Sequence, residues 1–217
     1  MGRFVEEFET RLKDYLGLDH VVCVNSGTAA LHLALTSLGL KAGSEVLVQS
    51  LTYIASFQAI TAAGLKPVAC EVVPNSCTID IKDAEKKITE LTGAIMPVHY
   101  GSRVGDLDGI YEFAKKYGIR VVEDAAHAFG TTYKGRLVGS FGDAICFSFD
   151  GIKNITSGEG GAVVTNDKFI AEYVKDARLL GVHKDTEKRY KGLRSWEFEV
   201  ICQGYRFHMS NLFAAIG

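Results

Sequence analysis

Seven short apolar runs, rich in β-branched residues, recur along the chain and are separated by segments of helical periodicity. Most of these runs are too continuously apolar for strands with one face in water, which predicts a sheet covered on both faces. Strands that alternate with helices imply βαβ crossovers, so we predict an α/β fold with a mostly parallel sheet sandwiched by helices. The predicted strands are Val21–Val24, Glu45–Val48, Lys66–Val72, Ala94–Val98, Arg120–Glu123, Ala144–Phe149 and Gly161–Thr165.

Aspartates that precede amphipathic segments mark the starts of three helices, because a carboxylate accepts hydrogen bonds from the free N–H groups of a first turn. The predicted helices extend from Asp80 to Leu91, from Asp106 to a stop at Gly118, and from Asp167 to Gly181. Ligands of parallel α/β folds bind beyond the carboxyl ends of the strands, so we expect the functional residues at that edge.

Composition excludes several classes of protein. Hydrophobic residues make up 47% of the 217 and charged residues 23%, as in one folded domain over 1–217. The net charge of −2 without a basic stripe argues against a nucleic-acid partner. Five scattered cysteines without a C-x-x-C pair favour reduced core residues and no metal site. With no signal peptide and no membrane-length apolar run, we expect a cytoplasmic protein without a membrane partner.

Small hydroxyl residues and a glycine follow the first predicted strand. Ser26, Gly27 and Thr28 lead directly into a helix, where free N–H groups and the positive end of the helix dipole favour an anion such as a phosphate. The alternative is an ordinary Ser/Thr N-cap. The patterns G-x-G-x-x-G and G-x-x-x-x-G-K-[ST] are absent, which argues against a dinucleotide or a nucleoside triphosphate.

Two carboxylates, Glu123 and Asp124, end the fifth predicted strand. A buried carboxylate requires a cationic or hydrogen-bonding partner, and a protonated ring nitrogen would serve. The alternative is a carboxylate that caps the following turn. His127 lies three residues beyond Asp124 and is either a ligand or an ordinary histidine.

A lysine, Lys153, lies between a strand with Ser148 near its end and a glycine-rich turn at 158–161. We expect this lysine to lie away from open solvent. Desolvation and neighbouring positive charge favour a neutral amine, which could act as a Schiff-base nucleophile. The alternative is a solvated loop lysine.

These three sites together match the requirements of pyridoxal phosphate. The helix end would hold the phosphate, the buried acid would keep the pyridine nitrogen protonated, and the lysine would bond to the aldehyde. A nicotinamide enzyme on the same type of sheet would lack its glycine pattern.

At these residues the sequence resembles the DegT/DnrJ/EryC1/StrS family of sugar aminotransferases, over almost the whole chain. Four motifs occur in the family's order: NSGTAAL at 25–31, PVHYG at 97–101, EDAAHA at 123–128, and SF-x-x-x-KN at 148–154 followed by GEGG at 158–161. The resemblance implies the large domain of fold type I pyridoxal-phosphate enzymes. Relative to the family, the chain looks cut at both ends and lacks the C-terminal small domain.

The resemblance also implies roles for single residues. Lys153 would form the Schiff base and move protons, and Asp124 would pair with the pyridinium. The phosphate would contact Gly27, Thr28, the adjacent Ser26 and Ser148. Tyr53 would stack over the ring and His127 would approach its hydroxyl. The alternatives are core packing for the Tyr53 ring and a satisfied buried hydroxyl for Ser148.

The implied reaction transfers an amino group from an amino acid, expected to be glutamate, to a ketone of a nucleotide-linked sugar. Lys153 argues against the family's dehydratase branch, which has histidine there. The alternative is a catalytically silent cofactor-binding fragment or assembly module. The resemblance further implies a homodimer with shared sites, in which Arg206 or His208 of a neighbouring subunit reaches the phosphate; the alternative for both is a plain interface role.

Overall fold

The computed structural model of the chain describes residues 1–183 and 199–217. Its strands are β1 His20–Val24, β2 Glu45–Gln49, β3 Lys66–Cys70, β4 Thr92–Met96, β5 Arg120–Asp124, β6 Thr132–Tyr133, β7 Arg136–Leu137, β8 Ala144–Ser148 and β9 Gly161–Thr165. Its α-helices are α1 Arg3–Leu16, α2 Gly27–Ser37, α3 Ile54–Ala62, α4 Ile81–Lys87, α5 Leu107–Tyr117, α6 Lys168–Ala177 and α7 Asn211–Ile216.

Seven strands form one sheet in the order β1-β9-β8-β5-β4-β2-β3, while β6 and β7 form a separate hairpin. Strand β9 runs antiparallel to both β1 and β8, and the other neighbouring pairs are parallel. The predicted mostly parallel α/β fold is confirmed. Strand β9 reverses because the connection from β8, at 149–160, holds no helix that could carry the chain back across the sheet.

The predicted burial of the sheet holds for its interior strands but is wrong for β3. All five residues of β2, β8 and β9 are buried, whereas Lys66 and Ala69 in β3 are exposed. Strand β3 is an edge strand, so only β2 pairs with it and one side remains open to water. It also ends at Cys70, before the predicted end at Val72.

The predicted start and end of α5 are confirmed. The Asp106 carboxylate accepts a hydrogen bond from the Gly109 N–H at 3.1 Å, and Gly118 ends the helix with a φ of 65°. A positive φ is strained for residues with a Cβ, which is why glycine suits this helix end.

The predicted C-terminal ends of α4 and α6 are wrong. Helix α4 stops at Lys87, because Ile88 is extended and the Thr89 N–H bonds instead to the Thr92 hydroxyl at 2.9 Å. Leu91, the last residue of the predicted helix, is 62% exposed.

Helix α6 stops at Ala177 rather than at Gly181. A distant segment supplies the donors for its last carbonyl groups: the Tyr205 N–H bonds to the Ala177 carbonyl at 2.7 Å and the Phe207 N–H to the Arg178 carbonyl at 3.0 Å. The helix end is therefore closed by tertiary hydrogen bonds.

The cysteines are free, as predicted, but only part of them belong to the core. Cys23, Cys70 and Cys146 are buried, whereas Cys77 and Cys202 are half-buried. Burial raises the pKa of the Cys70 thiol to about 11, which keeps it protonated and unreactive.

Within 1–183 and 199–217, no helix is both long and apolar enough to cross a bilayer. The same residues contain no group of three or more His, Cys, Asp or Glu side chains placed to hold a metal ion.

Candidate active site

The sequence-predicted site residues lie at one edge of the sheet. Strands β1, β8, β5, β4 and β2 run in the same direction, so their carboxyl ends meet there. The predicted residues follow these ends in turn: Ser26 to Thr28 after β1, Tyr53 after β2, Asp124 and His127 at β5, and Ser148 and Lys153 at β8. This edge is where ligands bind in open parallel sheets.

Ser26 is the N-cap of α2. Its hydroxyl accepts a hydrogen bond from the Ala29 N–H at 3.1 Å, so the N-cap interpretation of this residue is confirmed. Gly27 and Thr28 occupy the first turn, where a helix provides no acceptor for their N–H groups, and Thr28 is exposed. The cap is therefore compatible with an anion site, since Ser26 holds the turn while its neighbours present free donors.

Gly27 lies directly against Ser148. A Cβ on Gly27 would stand 2.8 Å from the Ser148 Cβ, closer than real Cβ contacts allow, so only glycine fits at this position. The Ser148 hydroxyl is buried at the end of β8 and accepts a hydrogen bond from the Asp150 N–H at 3.4 Å, which leaves its proton available to donate. Gly27 in α2 and Ser148 in β8, both predicted to contact a phosphate, therefore lie side by side. We call these two residues the cradle.

The two carboxylates at the end of β5 lie in different hydrogen-bond networks, as expected when successive strand residues point to opposite faces. Glu123 accepts hydrogen bonds from the Tyr111 hydroxyl at 2.6 Å and pairs with His99 Nε2 at 2.8 Å. Asp124 accepts from the Ser56 hydroxyl at 2.7 Å and from the Ala126 N–H at 3.2 Å. The bond from Ala126 is the turn cap that the sequence analysis gave as the alternative role for this carboxylate.

His127 lies within electrostatic range of both Lys153 and Asp124. Burial, and then the Lys153 ammonium, lower the pKa of His127, while the Asp124 carboxylate acts in the opposite direction. The Gly101 N–H donates to His127 Nδ1 at 3.4 Å, an arrangement that assigns the remaining proton of the neutral ring to Nε2. His127 therefore lies near enough to the amine and to the acid for both to affect its pKa.

Lys153 lies in the connection between β8 and β9. Its N–H bonds to the Asp150 carbonyl at 3.0 Å, and the next side chain, Asn154, donates to the Phe129 carbonyl at 2.9 Å. The Lys153 residue is half-buried and its neighbour Ile152 is 87% exposed, so the prediction that this lysine lies away from solvent is met only in part. Among the residues described, Lys153 has no acidic ion-pair partner, which leaves its amine free to react.

Tyr53 precedes α3 and is 73% exposed. The alternative that its ring packs into the core is therefore wrong. Its exposed ring lies at the same strand edge as Asp124 and Lys153.

Sequence reasoning missed Ser56 and Thr52. Ser56 is fully buried in α3, and its hydroxyl lies 2.7 Å from that of Thr52. No sequence signal indicates them, because a serine inside a helix is usually unremarkable and Asp124 is 68 positions away.

Arg206 and His208 lie beside the end of β1, where the Asn25 N–H bonds to the Phe207 carbonyl at 2.7 Å. Arg206 is exposed, while His208 is half-buried and its Nδ1 has no hydrogen-bond partner among the described residues. Both line a cavity of about 640 Å³ that also contacts the first residues of the chain.

The residues present fit pyridoxal phosphate. The cradle of Gly27 and Ser148 excludes a side chain while offering N–H and O–H donors, which suits a phosphate. The buried Asp124 carboxylate suits a protonated ring nitrogen, and the Lys153 amine, which has no acidic partner within 1–183 and 199–217, suits an aldehyde.

Comparisons with known proteins agree with this chemistry. The model of the DegT/DnrJ/EryC1/StrS aminotransferase family matches residues 1–217. The chain is 44% identical to the GDP-perosamine synthase of Caulobacter vibrioides, covering all of this chain and 56% of that protein.

The chain is also similar to solved structures, one of them that of a putative sugar aminotransferase. The chain matches S. venezuelae DesV in complex with a ketimine intermediate at a TM-score of 0.89 and 38% identity, over all of this chain and 55% of that one. It matches the PLP-form of the putative sugar aminotransferase Spr1654 from Streptococcus pneumoniae at a TM-score of 0.88 and 32% identity, over all of this chain and 58% of that one.

The chain thus spans about half the length of the curated relatives it matches. The family model covers every residue, and the aminotransferases of this family depend on pyridoxal phosphate. The chain therefore belongs to the DegT/DnrJ/EryC1/StrS aminotransferase family.

Proposed function

We propose that this chain provides the cofactor-binding part of an aminotransferase that moves an amino group from glutamate to the ketone of a nucleotide-linked sugar. The observation that carries the proposal is the grouping of Lys153, Asp124 and His127 at the strand edge that also holds the cradle of Gly27 and Ser148. The 44% identity to a GDP-perosamine synthase supports a GDP-linked keto sugar as the first acceptor to test.

Each of these residues has a distinct part in holding pyridoxal phosphate. The N–H groups of Gly27 and Thr28 and the Ser148 hydroxyl bind the phosphate, with Ser26 fixing the turn. The Asp124 carboxylate accepts a hydrogen bond from the protonated ring nitrogen. On this proposal the exposed Tyr53 ring stacks over the cofactor, and His127 lies near the ring hydroxyl.

Lys153 supplies the reactive amine. When bound, pyridoxal phosphate contributes an aldehyde carbon that bonds to an amine and a ring that accepts electrons. Lys153 Nζ is the amine that would bond to that carbon, with loss of water. When a donor amine takes its place, the same nitrogen would be free to take a proton from the donor's α-carbon, so one residue would serve as nucleophile and as general base.

We propose that a second copy of the chain completes the site. Exposed apolar side chains surround this edge, among them Tyr53 at 73%, Ile54 at 55% and Ile152 at 87%, which favours a protein partner over water. Arg206 is the better candidate to reach a neighbouring phosphate, because it is exposed whereas His208 is half-buried.

The test of the cofactor assignment is the visible absorption of purified protein after incubation with pyridoxal phosphate. We expect a band that Lys153→Ala abolishes. Lys168→Ala is the matched control, because Lys168 is an exposed lysine of α6 that pairs with Glu172 at 3.6 Å and should leave the band unchanged. Wild-type protein that stays colourless would contradict the proposal.

The test of the reaction is 2-oxoglutarate release from glutamate in the presence of a GDP-linked keto sugar. Turnover that requires Lys153 supports the aminotransferase. The chain spans 56% of the relative's length, which motivates the second candidate, a cofactor-binding or assembly module without turnover. An absorption band without 2-oxoglutarate release from glutamate, whichever nucleotide-linked keto sugar is added as acceptor, would favour that second candidate.

A further inference from the structure

Two linked hydroxyl groups lie on the buried side of Asp124, and the cofactor assignment above does not use them: Ser56 bonds to the carboxylate and Thr52 bonds to Ser56. The Ser56 Oγ lies 2.7 Å from Asp124 Oδ2, and the Thr52 Oγ1 lies 2.7 Å from the Ser56 Oγ. Ser56 is 0% exposed and Asp124 5%, so water does not compete for these bonds.

Thr52, Ser56 and Asp124 form a hydrogen-bonded relay. The donor and acceptor capacity of the three side chains sets its direction. An ionised carboxylate only accepts hydrogen bonds, so the single hydroxyl proton of Ser56 points at Asp124. Ser56 therefore accepts from Thr52, and the Thr52 proton points at Ser56. The relay runs from Thr52 through Ser56 to Asp124.

The relay fixes the orientation of the carboxylate. Ser56 holds Oδ2 at 2.7 Å, and the Ala126 N–H holds Oδ1 at 3.2 Å. Rotation of the Asp124 side chain would break both bonds. Without the Ser56 hydroxyl, only the longer bond from Ala126 would remain to set the direction of the free lone pairs.

The relay also links Asp124 to the segment that carries Tyr53. Thr52 and Ser56 flank the tyrosine, and the Ser56 N–H bonds to the Tyr53 carbonyl at 3.2 Å. The turn that presents the exposed ring is thus the turn that delivers the hydroxyl to the carboxylate.

We infer that Ser56, supported by Thr52, is a positioning residue that aims the Asp124 carboxylate at the ring nitrogen of the cofactor. This inference rests on the proposed function. A hydrogen bond to a charged group stabilises its geometry more than a neutral one does, and misdirected acceptors lose affinity for the group they should meet.

The experiment measures the dissociation constant of pyridoxal phosphate and the pH dependence of the bound cofactor's absorption. For Ser56→Ala we expect about tenfold weaker binding and a shifted absorption titration, and for Thr52→Val a smaller loss in the same direction. Thr52→Ser keeps the donor and should bind like wild type.

Ser37→Ala is the matched control. Ser37 is also a buried helix serine, 2% exposed, and its hydroxyl bonds to the Ala34 carbonyl at 2.6 Å, remote from the relay. It should change neither the affinity nor the titration.

A double-mutant cycle separates positioning from general stabilisation. If Ser56 acts through Asp124, Ser56→Ala has no further effect on affinity once Asp124→Ala is present. An equal loss in both backgrounds, or a Ser56→Ala protein that behaves like Ser37→Ala, would overturn the inference. If Ser56→Ala does not fold, Thr52→Val replaces it in the cycle, and its loss of affinity should likewise disappear once Asp124→Ala is present. Failure of the proposed function is distinct, since wild-type protein would then bind no cofactor.

Discussion

Gly161 and Ser26 lie in direct backbone contact: a Cβ on Gly161 would stand 2.4 Å from the Ser26 carbonyl oxygen. That oxygen accepts the first intrahelical hydrogen bond of α2, from the Ala30 N–H at 3.1 Å. The first residue of β9 therefore supports the helix end that presents the candidate anion site.

Gly161→Ala is expected to destabilise the protein by about 1–3 kcal/mol, because backbone atoms on both sides cannot move aside. Urea unfolding measures the loss. Gly151→Ala is the control, since a Cβ there would lie 3.6 Å from the Gly158 carbonyl oxygen, an ordinary contact. Equal stability of the two variants would contradict the close packing of β9 against Ser26.

Gly27→Ala is expected to weaken pyridoxal-phosphate binding about tenfold or more, because the new Cβ would force Ser148 away from the helix end. Equilibrium titration of the cofactor measures the effect. Gly93→Ala is the matched control for crowding: its Cβ would lie 2.7 Å from the Leu40 side chain, far along the chain from the cradle. A Gly27→Ala protein with wild-type affinity would exclude Gly27 from the phosphate site.

His127 provides a test of the site's electrostatics without cofactor. The Lys153 ammonium lowers the pKa of His127 and the Asp124 carboxylate opposes it, so Lys153→Met should raise this pKa and Asp124→Asn should lower it further. An NMR titration of the His127 ring in cofactor-free protein measures both. Lys168→Met should leave it unchanged, and a Lys153→Met protein without a shift would place the amine elsewhere.

The lowered pKa of His127 also has a consequence for stability. Between the folded pKa and the ordinary value of about 6.5, the unfolded chain binds more protons than the folded one. The free energy of unfolding should therefore fall as pH decreases through this window. His127→Gln removes this contribution, which urea unfolding at pH 5 and pH 7.5 would detect as a smaller difference than in wild type.

The buried network around Glu123 is expected to be structural. Burial and the Glu123 carboxylate raise the pKa of Tyr111, so its hydroxyl stays protonated and donates to Glu123 at 2.6 Å while accepting from the Asp143 N–H at 3.0 Å. Tyr111→Phe removes both bonds, so that Glu123 keeps only its pairing with His99, and should cost about 1–3 kcal/mol. Urea unfolding measures this cost.

Tyr15→Phe is the control for that measurement, because Tyr15 is 51% exposed and its ring stacks on Phe129. It should change the free energy of unfolding little. If Tyr111→Phe is equally mild, the hydroxyl does not hold Glu123 in place.

Much of the fold follows from local sequence. Continuous apolar runs predicted the interior strands, and Asp106 with Gly118 predicted both ends of α5, because capping bonds and a positive φ act within a few residues. The motifs around Ser26, Asp124 and Lys153 indicated a pyridoxal-phosphate site, since its three chemical requirements appear in the residue types themselves.

Tertiary contacts decided the remainder. The end of α6 depends on donors from Tyr205 and Phe207, and the separate hydrogen-bond partners of Glu123 and Asp124 depend on the face to which each strand residue points. Ser56 reaches Asp124 across 68 positions. The sequence by itself determined which elements form and which chemistry they carry, because caps and apolar periodicity are local; only the folded chain determined which hydroxyl holds which carboxylate, because those partners meet through packing that no local pattern encodes.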